Sequence, residues 1–218
     1  MEHFPIYLNI IIQIVTLLIA VIGHEIMHGL VALKYGDTTA KDAHRLTINP
    51  IPHIDLIGSI ILPLALLLLN TPFMIGYAKP VPVNMNTVIK NGGYKAAFFV
   101  SMAGIIYNLG LAIVAAVALK FEMFSQATFI NVLVYVFLLS LFQINIVLAI
   151  FNILPIPPLD GSKALAFIGL MAGIHVLARF YNSLERYGII IILLIIATPI
   201  SRYLGEFMGF VANGILRI

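Results

Sequence analysis

The sequence predicts an all-α, multi-pass membrane protein, and three observations carry that reading. Of the 218 residues, 61% are hydrophobic and 10% charged, against about 25% charged in a typical soluble domain. Several apolar runs approach or exceed the roughly 20 residues that an α-helix needs to cross a bilayer. Prolines and glycines interrupt the pattern at a few places, which membrane depth tolerates only where unwound backbone lines a cavity or is buried in protein. A water-soluble fold could not hide so much apolar surface, so lipid is the solvent for most of the chain.

Taken in order, the first span runs from about Ile6 to about Leu33 and ends where Gly36 can cap it. The N-terminus lacks the basic region of a secretory signal, so this run is read as a retained helix. Leu56 to Leu69 is short, contains Gly58 and Pro63, and falls in the length range of re-entrant or buried segments. Gly76 to Gly93, with Pro80 and Pro82, reads as an extended, β-like loop. Two full spans follow, about Tyr94 to Leu119 and about Thr128 to Phe151. The first carries Ser101, Ala103, Gly104 and Gly110, small residues that allow close helix approach. A proline-broken stretch around Pro155, Pro157 and Pro158 leads into a short helix, and two further apolar stretches close the chain. The expectation is one domain over residues 1–218 with about five to six membrane helices, one re-entrant segment and one Pro-broken helix.

Twelve Lys and Arg stand against nine acids, a net charge of +3. In such a chain this excess is a topology signal, and no basic cluster interleaved with aromatics suggests nucleic acid. If Leu56–Leu69 dips in and returns, nine of the twelve cations face the cytoplasm: Lys34, Lys41 and Arg45, then Lys79, Lys90 and Lys95, then Lys163, Arg179 and Arg186. The N-terminus then lies outside.

His24-Glu25-Ile26-Met27-His28 interrupts the first span. Positions i and i+4 share a helix face, so both imidazoles can reach one ion, and Glu25 sits where its carboxylate can take a proton from metal-activated water. Ionisable groups inside a span carry a desolvation cost and mark function. Catalytic zinc takes three protein ligands, and a chain without cysteine must draw the third from His, Asp, Glu or backbone. Asp160 is the candidate, because it follows the prolines on the same side as the end of the first span. It is also a favoured N-cap for the helix beginning at Gly161, and both roles can hold together. His53 and Asp55 form a His-x-Asp pattern that suits a structural pair or a metal-binding or gating role. Asn145 and Gln143 are expected to bond between helices, and Asn108 is read as structural or supporting.

His24-Glu25-x-x-His28, with the later Asn152-x-x-Pro155-x-x-Pro158-x-Asp160-Gly161, resembles the site-2 protease family of intramembrane zinc metalloproteases. Met102 to Asn108 resembles the family's Ala-Gly-Pro…Asn stretch, with Ile105 in place of the proline. The similarity covers about residues 20 to 165 and has no room for the PDZ or CBS domains of some relatives. It implies one Zn2+ per chain held by His24, His28 and Asp160, with Glu25 activating water and Asn152 steadying the scissile carbonyl. It further implies transmembrane protein substrates, regulated intramembrane proteolysis and a cell-membrane location, and the Lys and Arg topology above sets the site nearer the cytoplasmic side. The alternative is a zinc transporter or sensor using the same residues, which would favour acidic groups spread along the spans. The later spans offer almost none.

Overall fold

The computed structural model describes residues 5–61, 68, 78–120 and 128–217. Most of these residues are helical, with no strand among them. Helix α1 (Ile6–Lys34) realises the first expected span over 29 residues, about 44 Å of rise. It ends in a left-handed cap at Gly36, φ 85°. The Gly36 N–H donates to Leu33 O and the Asp37 N–H to Ala32 O, so the last carbonyls of the helix are satisfied. A single short turn, α2 (Thr39–Asp42), follows.

The extended stretch is shorter than expected. Residues 78–84 have no regular structure, but helix α3 (Met85–Leu119) begins well before Gly93. Asn84 caps it by accepting from the Thr87 N–H at 3.2 Å, and no proline after Pro82 prevents the helix from starting. Gly93 (φ 67°, ψ −170°) then kinks α3, and only the part beyond it corresponds to the expected span. Helix α4 (Phe129–Ile153) is capped by Thr128. Beyond the prolines lie α5 (Asp160–Met171), α6 (His175–Leu184), α7 (Gly188–Ala197) and α8 (Ile200–Arg217). Half of the expected re-entrant segment Leu56–Leu69, residues 62–67 and 69, lies outside the described residues. Its first part, Leu56–Ile61, is a π-helical turn, with Asp55 Oδ1 accepting from the Gly58 N–H at 2.7 Å.

Among the described residues, α1, α3 and α4 are long and apolar enough to cross a membrane. On α1, Ile10, Ile11, Ile14, Leu17 and Leu18 are 40–53% exposed, an outward apolar face that suits acyl chains and not water. Helix α7 is apolar but has ten residues, about 15 Å, or half the hydrocarbon thickness.

Helix α3 is the centre, packed against α1, α4 and α5. Its contact face is built of small residues. Ala112, Ala115 and Ala116 meet Leu141, Phe142 and Ile146 of α4 in one cluster, and Ala96, Ala97 and Val100 meet Ala32 of α1 in another. Where lipid tails are as apolar as leucine, such close approach and the dispersion it allows hold helices together. Ser101, Ala103 and Gly104 are buried as expected, whereas Gly110 points into open space. A polar link ties α1 to α4, with the hydroxyls of Thr16 and Ser140 2.9 Å apart.

Ala112 has no exposed surface, so Ala112→Leu should overpack the α3–α4 seam and cost about 1–3 kcal/mol. Thermal unfolding in detergent should show this as a lowered midpoint. Val114→Leu, at a position 64% exposed on the outer face, should leave the midpoint unchanged.

Candidate metal centre

The helical repeat places His24 and His28 on the side of α1 that faces α3, and the kinked, small-residue face of α3 lets them in. A Cβ at residue 104 would lie 2.5 Å from the His24 ring, so only glycine leaves room for that imidazole. The two rings meet edge to face, with centroids 4.8 Å apart.

Each imidazole has a dedicated acceptor behind it. His24 Nδ1 lies 2.6 Å from Asn108 Oδ1, and His28 Nδ1 lies 2.6 Å from the Val100 carbonyl. Both acceptors require a proton on Nδ1, which leaves a lone pair on each Nε2. Asn108 is oriented in turn: its Nδ2 donates to Ala20 O at 3.1 Å and to Asn145 Oδ1 at 2.8 Å, while Asn145 Nδ2 donates to Leu141 O at 2.8 Å. Asn108 and Asn145 are fully buried, so this amide relay is satisfied entirely within the protein.

Asp160 arrives from the other side. The prolines end α4 at Ile153, and the chain returns so closely that a Cβ at residue 161 would sit 2.1 Å from the Ile153 carbonyl oxygen. Glycine after the aspartate is therefore a steric necessity. Asp160 is the first residue of α5, the cap position is Leu159, and no side chain caps the helix by hydrogen bonding. The capping alternative is thus replaced by contact with the imidazoles.

Asp160 Oδ2 lies 3.0 Å from His24 Nε2 and 3.1 Å from His28 Nε2, and the two Nε2 atoms are 3.1 Å apart. Three lone-pair donors at these separations repel unless a cation sits among them. Protonating both rings would satisfy Oδ2 but leave two imidazolium groups in contact. A single divalent ion removes the conflict. Tetrahedral zinc with ligands at about 2.0–2.2 Å sets them about 3.3–3.6 Å apart, close to the triangle seen. The donor set, His2Asp with both imidazoles buttressed, fits zinc.

Lys163, one turn along α5, places Nζ 3.4 Å from Asp160 Oδ1, so the second carboxylate oxygen is turned away from the triangle. Glu25 accepts from the Val81 N–H at 2.8 Å through Oε2. It lines a cavity of about 600 Å³ together with His28, Asp160, Lys163, Phe167 and Tyr181. Glu185 lines it too, and the Tyr181 hydroxyl donates to Glu185 at 2.6 Å. Burial, and then that neighbouring carboxylate, push the Tyr181 phenol above its usual range, so it remains a donor.

The structure therefore brings His24, His28 and Asp160 together and sets Glu25 at the edge of the same cavity. Asn152 lies in the last turn of α4, where its amide donates to Leu148 O at 3.0 Å. His53 and Asp55 do not join the centre: His53 Nε2 donates to Thr47 O at 2.9 Å. From sequence, Val100 and Val81 had no place at the site, and Lys163 was marked only as one of the cations that set the topology. A backbone carbonyl and a backbone N–H carry no sequence signal, and Lys163 had only its i+3 spacing from Asp160.

Fold and site together define a membrane protein with a His2Asp group that can hold a metal ion. Comparisons with known proteins agree. The model of "Peptidase family M50" matches residues 120–195, a stretch that contains the proline-rich motif and Asp160. The chain is 36% identical over 194 residues to "Putative zinc metalloprotease YwhC" of Bacillus subtilis (strain 168), an alignment covering 87% of this chain and 82% of that protein. No solved structure matches. The chain belongs to peptidase family M50, the site-2 protease family.

Asn108→Ala should release His24 without removing a ligand, and zinc affinity measured by chelator competition should fall about 10–100-fold. An unchanged affinity would mean that the amide relay does not orient the ligand.

Proposed function

We propose that the protein is an intramembrane zinc endopeptidase that hydrolyses peptide bonds within or beside transmembrane segments of membrane-protein substrates. The observation that carries this reading is the triangle of His24 Nε2, His28 Nε2 and Asp160 Oδ2, whose lone pairs converge on one point, next to a carboxylate on an open cavity. Zinc bound there supplies Lewis acidity toward water and toward a peptide carbonyl.

The protein's own groups do the rest. Glu25 takes the proton of the attacking water and returns it to the leaving amine. Asn152 uses one amide hydrogen within α4 and has a second to offer the carbonyl oxygen as charge develops on it. A transmembrane substrate must unwind locally before attack, since its peptide groups are tied into the helical ladder. Residues 78–84 offer an irregular segment against which an extended substrate can lie. The distribution of Lys and Arg supports a site nearer the cytoplasmic side, and the reading extends to regulated intramembrane proteolysis at the cell membrane.

Two measurements test this. Purified protein should contain one zinc per chain, and Glu25→Gln should keep the zinc while losing cleavage of a transmembrane reporter by several orders of magnitude. Continued cleavage by that variant would remove Glu25 as the base, and zinc uptake into vesicles would favour transport instead. Asn152→Ala should retain zinc and lower kcat on the order of 10²-fold; an unaltered kcat would exclude the oxyanion role.

A further inference from the structure

Three charged side chains from the first quarter of the chain are aimed at the backbone of one short segment. Arg45, 6% exposed, donates through Nη2 to the carbonyls of Lys79 at 2.6 Å and Pro80 at 3.3 Å. Asp37, 2% exposed, accepts from the Asn84 N–H at 2.6 Å. Between these two fastenings, Glu25 accepts from the Val81 N–H. The Lys79 N–H is used as well, donating to His53 O at 2.9 Å.

Burying a guanidinium or a carboxylate is costly unless it is hydrogen-bonded, so Arg45 and Asp37 commit the segment to one path. Its composition then leaves little choice. Pro80 and Pro82 have no N–H, so Val81 carries the single backbone donor of the Pro-Val-Pro strap. Val81 is itself buried, 7% exposed, and a Cβ at residue 29 of α1 would meet its side chain at 3.0 Å, so the strap lies directly on α1.

We propose that Arg45 is a positioning residue for Glu25: by clamping the Lys79 and Pro80 carbonyls it fixes the Val81 N–H, which holds one carboxylate oxygen and keeps the other available for proton transfer. This rests on Glu25 as the base. A glutamate has three rotatable side-chain bonds, and a carboxylate placed by a fixed donor is preorganised where a free one must be ordered in each turnover. Arg45 touches neither metal ligand nor cavity. Its effect on the reaction must pass through the strap.

The test uses full-length, zinc-loaded protein in detergent with a transmembrane reporter. Arg45→Met should lower kcat about 10–100-fold, with KM and zinc content unchanged. Arg45→Lys, which retains a cation with a smaller donor set, should lose less. Glu25→Asp combined with Arg45→Met should lose less than the product of the two single losses, because both act on one carboxylate.

An independent readout needs no activity. In zinc-free protein the amide of the peptide covering Pro80–Pro82 belongs to Val81 alone. Its hydrogen exchange should be slow in the wild type and faster in both Arg45→Met and Glu25→Ala. A rise in KM at unchanged kcat would assign the strap to substrate binding and overturn the proposal, as would loss of zinc or fully multiplicative losses in the double variant. If Arg45→Met fails to fold, Arg45→Gln takes its place, and wild-type kcat and exchange in that variant overturn the proposal equally. Cleavage surviving in Glu25→Gln would instead sink the assignment of the base, while leaving the exchange result to report on the clamp by itself.

Discussion

Two imidazole nitrogens and one carboxylate oxygen stand 3.0–3.1 Å apart with their lone pairs facing inward. In a low-dielectric interior that arrangement repels itself, and much of the surrounding architecture holds it in place. Asn108 and the Val100 carbonyl draw the protons to the Nδ1 side of each ring. Asn145 keeps Asn108 from turning its amide over. Gly104 leaves the space that the His24 ring occupies. All four groups belong to α3 and α4, so the packing of these helices against α1 is also the assembly of the metal site. A divalent ion held by these three atoms would draw its ligands from α1 and α5, both packed on α3, so metal binding would be coupled to the helix packing.

Lipid as solvent explains why the packing takes the form it does. Apolar side chains gain little by leaving hydrocarbon for protein, so the helices associate through close contact of small residues and through a few internal hydrogen bonds. Alanines on α3 supply the first, and Thr16 with Ser140 and Asn108 with Asn145 supply the second. The same rule governs the break after α4. Unwound backbone at residues 154–159 is admissible where protein covers it, and Pro157 and Leu159 are buried while Pro155 is exposed. That break delivers Asp160 to the imidazoles from a direction no continuous helix would allow.

The regions that served least well in the sequence reading are those where long-range contacts decide. Pro80 and Pro82 suggested an extended loop to Gly93, yet Asn84 starts a helix at Met85, and its backbone is fixed by the distant Asp37. Gly110 looked like a packing residue by composition but faces outward, because a helix of this length turns its face away from any one neighbour. The His53-x-Asp55 pattern suited a structural, a metal-binding or a gating role, and His53 takes a structural one, bracing the loop through Thr47 O and the Lys79 N–H.

The amino-acid sequence by itself pointed to lipid as the solvent, to the positions of the long spans and to the candidate metal ligands His24, His28 and Asp160. Hydrophobic run length, the i, i+4 spacing of His24 and His28 and the proline-rich approach to Asp160 are local properties of the chain. Tertiary structure alone decided what stands behind each ligand and what faces Glu25. Those partners are backbone groups and amides 37 to 88 residues away. Every residue carries an N–H or a C=O that could serve, and only folding selects the one that does.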